Sequence, residues 1–285
     1  MARRIDVHHH YLPPAYLKAL EEAGGDPSGF PTPSWSIEAD QQLCDDCGIE
    51  TAILSVTAPG AGIVKGAKSA QVARECNEFG KTLRDKYPKK YGFFAALPDV
   101  LDTQAALEEI RYALDELQAD GVTLFTRYGD ANYYLGHPDI QPIWEELDRR
   151  AAVVFIHPTH AVDTNLINKM LPQPFIDYPH ETTRTAVDLI TTDTDCRLSS
   201  MTREHFLENA RMFYYDLALT DANFALPLLQ KFASPDHILY GSDFPYAPTT
   251  SIKFFSKDLA EADISDEAAE KINYGNALNL FPRLR

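Results

Sequence analysis

Ile5-Asp6-Val7-His8-His9-His10, close to the start of the 285-residue chain, reads as a β-strand carrying three histidines. Side chains alternate along a strand, so His8 and His10 are expected on one face with Asp6, and Ile5, Val7 and His9 on the other. The two apolar residues would then pack on a helical layer and turn His8 and His10 inward. Two inward imidazoles at i and i+2 can hold one metal ion between them. Further apolar runs predict strands near Thr51–Val56, Phe93–Leu97, Val122–Phe125, Val153–Ile156, Met212–Leu217 and Ile238–Gly241. Most are continuously apolar, the pattern of strands covered on both faces of a parallel sheet.

Helical segments are expected between these strands. In Thr103–Gln118, Ala106, Leu107, Ile110, Ala113, Leu114 and Leu117 form a stripe of period 3.6, with Asp102 as N-cap and Gly121 beyond the end. Ile140–Arg150 and Thr182–Ile190 follow the same pattern. Strand–helix alternation means βαβ units, closed into a barrel or opened as a doubly wound sheet. No GxGxxG or Walker-type turn follows a strand, which counts against a nucleotide-binding open sheet. A single α/β domain over residues 1–285 is expected, since one such barrel commonly takes ~250 residues. Residues 24–36 (GGDPSGFPTPSWS) form a Gly/Pro/Ser loop suited to a lid or an interface arm. The alternation fails once: from Ile156 to Met212 no strand is legible, and Thr191–Ser200 is polar, so seven strands are counted where a barrel has eight.

With 26 Lys+Arg against 42 Asp+Glu, the net charge is −16, which repels phosphate backbones and anionic lipid and excludes nucleic acid and membrane surfaces as expected partners. No apolar run approaches the ~18 residues of a membrane span. No apolar stretch follows the charged Met1–Arg4 as in a secretory signal, and four cysteines in so long a chain do not make a disulfide framework. A cytoplasmic, reducing location is the expectation.

Other polar residues fall at strand ends. His157 closes Val153-Val154-Phe155-Ile156-His157 just before Pro158, which cannot continue a central strand. Asp243 stands in the same position in Ile238-Leu239-Tyr240-Gly241-Ser242-Asp243-Phe244-Pro245. Barrel active sites are built at these carboxyl ends. Arg127 follows a strand directly and is suited to clamp a carboxylate. Cys44-Asp45-Asp46-Cys47 resembles half a zinc site, but Cys76 and Cys196 are single and distant, so it is read as structural. There is no GxSxG elbow for a serine hydrolase.

IDVHHHYLP, ETAILSVTAPGA, GFFAALPD, DGVTLFTRYGD, VVFIHPTH, YPHETTRTA, YGSDFPYAP and NYGNALNLF together resemble the amidohydrolase superfamily. The likeness is to its metal-dependent decarboxylase branch, the relatives of aminocarboxymuconate-semialdehyde decarboxylase, among which are the fungal 6-methylsalicylate decarboxylases. The resemblance implies a (β/α)8 TIM-type barrel with His8, His10, His157 and Asp243 around one divalent metal, Zn2+ or alternatively Mn2+. It implies a carboxy-lyase, removing CO2 without oxidation from a salicylate-type aromatic acid in secondary metabolism. Asp243 is the implied acid, Arg127 and Tyr246 the implied substrate contacts, and a homodimer the implied assembly. The chain departs from the family's pattern at one unit, the sixth strand with its His-x-Gly-Gly, whose His is a catalytic acid/base. The expected outcomes are closure of the fifth strand on the seventh, or a segment of the molecule that this sequence omits. A catalytically impaired relative, and a metal-dependent hydrolase or lactonase, are the alternatives to an active decarboxylase.

Overall fold

The computed structural model describes residues 3–192 and 201–285. Its principal strands are β1 (Arg4–His10), β2 (Ile49–Ser55), β3 (Tyr91–Ala95), β4 (Gly121–Phe125), β5 (Val154–His157), β6 (Tyr215–Asp216) and β7 (Ile238–Leu239). The first five pair in parallel in sequence order, and β6 pairs in parallel with β7. Backbone hydrogen bonds from Val7 to Tyr240 (3.1 Å) and from His10 to Phe244 (2.7 Å) join the two groups. The curled sheet therefore runs β6-β7-β1-β2-β3-β4-β5. The helices between are α1 (Pro14–Glu22), α2 (Ile37–Cys47), α3 (Ala67–Lys86), α4 (Thr103–Arg111), α5 (Gln141–Arg149), α6 (Pro174–Thr192), α7 (Arg203–Arg211), α8 (Ala225–Phe232) and α9 (Thr249–Glu261). The α/β alternation expected from the sequence is present, as a curled parallel sheet of the barrel type that is not closed among the described residues.

Burial explains why these runs become strands. Ile53, Leu54, Phe93, Phe94 and Leu124 are almost wholly buried, and each contributes about 1.5–3 kcal/mol through removal from water. α2 shows how local chemistry sets an element that the site uses. Ser36 caps its start by accepting from the Ala39 N–H, and Gly48 ends it at φ 68°, a conformation open to glycine without strain. Asp40 in its first turn is thereby fixed beneath β1.

Two expectations are corrected. The pairing of β1 with β2 shifts register between Asp6 and His9, as at a bulge, and the alternation breaks there. Asp6 consequently bonds His9 rather than sharing a face with His8 and His10. Ile5 and Val7 join Ile53, Phe94, Leu239, Ala277 and Phe281, a cluster of strand residues and residues in or just after the C-terminal helix Asn276–Leu280. Phe155 packs against the same cluster and meets Phe94 at 5.5 Å and His8 at 4.9 Å, so this cluster floors the site. The second correction concerns closure: among the described residues no backbone pairing joins β5 to β6. α6 and α7 follow one another without a described strand between them. The polar stretch from Asp193 to Ser200 lies outside the described residues.

Candidate metal centre

His8 and His10 come from β1, His157 ends β5, and Asp243 follows β7. One ligand-type atom from each lies within 4.8 Å of the others. Asp243 Oδ1 stands 3.5 Å from His8 Nε2 and 3.3 Å from His10 Nε2. The His157 ring lies 5.3 Å from His8 and 4.8 Å from His10, centroid to centroid. Asp243 occupies the left-handed region at φ 61°, where Asp is among the few side chains tolerated, and its N–H donates to the His8 carbonyl at 2.8 Å. Held strain of this kind is common where a side chain must be aimed.

Each imidazole is oriented from behind through Nδ1. His8 Nδ1 bonds Asp216 Oδ1 at 3.0 Å, His10 Nδ1 lies 2.9 Å from Ser55 Oγ, and His157 Nδ1 donates to the Pro158 carbonyl at 2.7 Å. Such partners fix the tautomer and leave Nε2 free to face a cation. The Nε2 atoms of His8 and His10 are in fact buried without a hydrogen-bond partner, and buried polar atoms seldom stay unpaired. Burial keeps His157 well below, and His10 below, the usual imidazole range, so both are neutral, the form that ligates. Burial opposes the charge on Asp243, but the His10 and His8 imidazoles beside it outweigh that and hold the carboxyl well below the usual range. Burial likewise opposes protonation of His8, yet Asp216 and Asp243 raise it well above the usual value. Two half-buried carboxylates gathered on these imidazoles are what a divalent cation would balance. The residues present fit such an ion.

Asp216 was not singled out from sequence. The signal was there, an Asp at the end of the apolar run Met212-Phe213-Tyr214-Tyr215-Asp216, the same signature as Asp243. Gly241 makes its approach possible: a Cβ there would meet Asp216 Oδ1 at 2.7 Å and the His8 Cβ at 2.8 Å. Tyr178 on α6 also reaches His157, at 6.1 Å between rings.

The remaining expected site residues lie around this cluster. The Tyr246 ring is 5.8 Å from His10, and Phe30 of the 24–36 loop is 6.0 Å from Tyr246. Arg127 is buried, and its guanidinium donates to the carbonyls of His160 (2.8 Å), Gly129 (2.8 Å) and Ala161 (3.1 Å). It lines a side cavity of about 180 Å³ with Pro27, Lys65, Tyr128 and His160. Phe125 forms part of that cavity's wall and lies 6.2 Å from the His157 ring. Burial and the nearby Arg127 charge lower His160 to about 4. Cys44 and Cys47 are free and buried, Cys44 against Asp40.

His9 lies on the outer side. Nδ1 bonds Asp6 at 2.9 Å and Nε2 bonds Asp40 at 3.0 Å, while Asp40 also accepts from Tyr91 (2.6 Å) and Trp35 (3.0 Å). Burial would lower its pKa, but the Asp40 and Asp6 carboxylates push it up to about 10. His9→Ala is expected to leave metal content per folded chain unchanged while lowering the melting temperature. Removing one partner of a buried ion pair costs about 3–5 kcal/mol. Metal analysis beside a thermal melt checks this, and an unchanged melt would deny His9 its structural role.

A curled parallel sheet with three imidazoles and a carboxylate gathered at its strands, most of them at the carboxyl ends, defines a class of protein built around a candidate cation site. The chain belongs to the amidohydrolase family, whose model matches residues 5–194 and 194–283. It is 46% identical over 314 aligned positions to a 6-methylsalicylic acid decarboxylase of Penicillium expansum, and 48% identical over 319 positions to one of Aspergillus aculeatus. Each alignment covers 99% of this chain and 97% of the relative. A crystal structure described as an amidohydrolase II superposes with a TM-score of 0.88 at 29% identity, covering 97% of this chain and 99% of that one. A dihydroxybenzoic acid decarboxylase of Polaromonas, solved with bound manganese, shares the fold with a TM-score of 0.79 at 20% identity, covering 100% and 98% of the two chains.

Proposed function

We propose that this chain is a metal-dependent, non-oxidative carboxy-lyase that removes CO2 from a salicylate-type acid such as 6-methylsalicylate. The observation that carries this reading is the convergence of His8, His10, His157 and Asp243, in a chain nearly half identical along its length to two 6-methylsalicylic acid decarboxylases. A divalent cation held by those four residues supplies Lewis-acid attraction for a carboxylate and its neighbouring hydroxyl. The three-nitrogen, one-oxygen donor set suits Zn2+, and the solved Polaromonas relative holds manganese. Restoring metal-free protein with each ion ranks the two.

The chain's own residues orient the acid and move one proton. Asp216, Ser55 and the Pro158 carbonyl keep the imidazoles aimed. Tyr246 and Phe30 bound the space beside His10, a flat apolar wall for an aromatic ring. Asp243, ionised at rest, takes a proton from the ring hydroxyl and returns it to the ring carbon that bears the carboxylate. Protonation there interrupts aromaticity; the carbon–carboxylate bond then breaks, CO2 leaves, and the bond's electron pair restores the ring as a phenolate, which takes a proton from water. Arg127, with three of its donors on loop carbonyls, holds the 159–161 segment and lends positive potential to the cavity mouth. The working assembly is proposed to be a homodimer in the cytosol; no described helix is long and apolar enough to cross a membrane. Metal-loaded protein offered 6-methylsalicylate and a panel of lactones tests the reading. The expected products are 3-methylphenol and CO2, and lactone opening without CO2 release would overturn it.

A further inference from the structure

Among the described residues the sheet has two free edges, β5 and β6, and they face each other. Asp216 on β6 reaches His8 at 3.0 Å, while His157 at the end of β5 lies 5.3 Å from the same ring. The curl therefore brings β5 and β6 to either side of the site, with a seam between them. β5 is bonded to β4 along one side only, among the described residues. Val154, Phe155 and Ile156 are half-buried where every residue of β3 and β4 is buried. An unpaired strand edge with apolar side chains is a template for another strand.

The segments next to these two edges in the chain carry large exposed apolar side chains. Ile167, Met170 and Phe175, in the segment after β5, are 70%, 88% and 65% exposed; Met212, Phe224 and Leu228, around β6, are 70%, 78% and 67% exposed. Soluble proteins seldom leave so much large apolar surface in water unless something covers it. The connectivity names the missing cover. One α-helix lies between β2 and β3, between β3 and β4 and between β4 and β5, and two, α1 and α2, lie between β1 and β2; between β5 and β6 stand α6 and α7, with no described strand between them. The family match breaks in the same place, ending one stretch at residue 194 and starting the next there.

The length agrees. Alignments of 314 and 319 positions against a chain of 285 leave at least 29 and 34 positions where the relatives have residues and this chain has none. One strand–helix unit of an eight-unit barrel of ~250 residues takes roughly 31.

We infer that the seam between β5 and β6 is the acceptor for one strand–helix unit, and that the barrel closes only when that unit is supplied between α6 and α7. The occupant is a segment of about the length that the two alignments leave unmatched in this chain, an inward-packed strand whose backbone pairs with both free edges and whose helix covers the exposed apolar side chains. This inference goes beyond the decarboxylase reading and does not depend on it.

The test compares the chain as it stands with a variant carrying the Penicillium expansum segment inserted after Thr192. The variant is expected to melt about 10 °C higher or more, a shift typical of several new backbone pairings and a covered apolar face. It should also bind less of a dye that reports exposed apolar surface. In the unaltered chain the amides of Val154–His157 are expected to exchange with solvent far faster than those of β2. Slow exchange at β5 in the unaltered chain would overturn the inference, since the seam would then already be closed. A well-folded variant that melts no higher would overturn it too. None of these readouts involves turnover, so the inference and the decarboxylase reading fail separately.

Discussion

Asp243→Asn is expected to lower turnover by ~10²–10⁴-fold, the usual worth of a positioned acid or base, while metal content falls much less. An amide still offers an oxygen to a cation but cannot take up and return a proton. The structure supports the separation of the two effects. Asp243 makes its closest contacts to His8 and His10, which an amide oxygen can keep, whereas the proton transfer needs a carboxyl. Steady-state decarboxylation beside elemental analysis of the same preparation gives both numbers. Near-normal turnover by the Asn variant would remove Asp243 from the proton's path.

His8→Ala is expected to reduce bound metal from about one ion per chain to a small fraction of that. The substitution removes one of the four converging ligands and strips Asp216 of its imidazole partner at 3.0 Å, leaving it only the Ala218 N–H. Asp216→Ala keeps the ligand but loses its support, and the expected loss of metal affinity is about 10–100-fold. Titration of metal-free protein with Zn2+ or Mn2+ orders the series: unaltered chain, then Asp216→Ala, then His8→Ala. A His8→Ala protein that holds a full ion as tightly as the unaltered chain would place the metal elsewhere.

The residues that form the cluster were legible because each occupies a position with strong local rules. His157 and Asp243 end apolar runs, each just ahead of a proline, and His8 and His10 sit on the first strand. Strand order and helix alternation were legible for the same reason, continuous apolar runs between capped helices. What escaped depends on contacts far apart in the chain. The register shift that turns Asp6 to His9 arises from pairing with β2, and no spacing within β1 announces it. Asp216 gains its role only because β6 lies beside β7 and Gly241 leaves room. Arg127 looked like a carboxylate clamp by position, but the carbonyls that occupy three of its donors come from a loop more than thirty residues away and from a turn beside it. β6 and β7 are two residues each, against the longer Met212–Leu217 and Ile238–Gly241 expected from apolar content. A strand that lacks a neighbour on one side is not extended by pairing, and β6 borders the seam.

The account's central claim is that the chain removes CO2 from a salicylate-type acid by protonating the ring carbon at a cluster that holds a divalent ion. Turnover of 6-methylsalicylate in D2O by protein loaded with one divalent ion per chain tests this most directly. The account predicts CO2 and 3-methylphenol in equal amounts, with one deuterium on the ring carbon between the hydroxyl and the methyl group, and no turnover once a chelator has removed the metal. Undiminished CO2 release from the metal-free protein, or no CO2 from the fully loaded one, would contradict it.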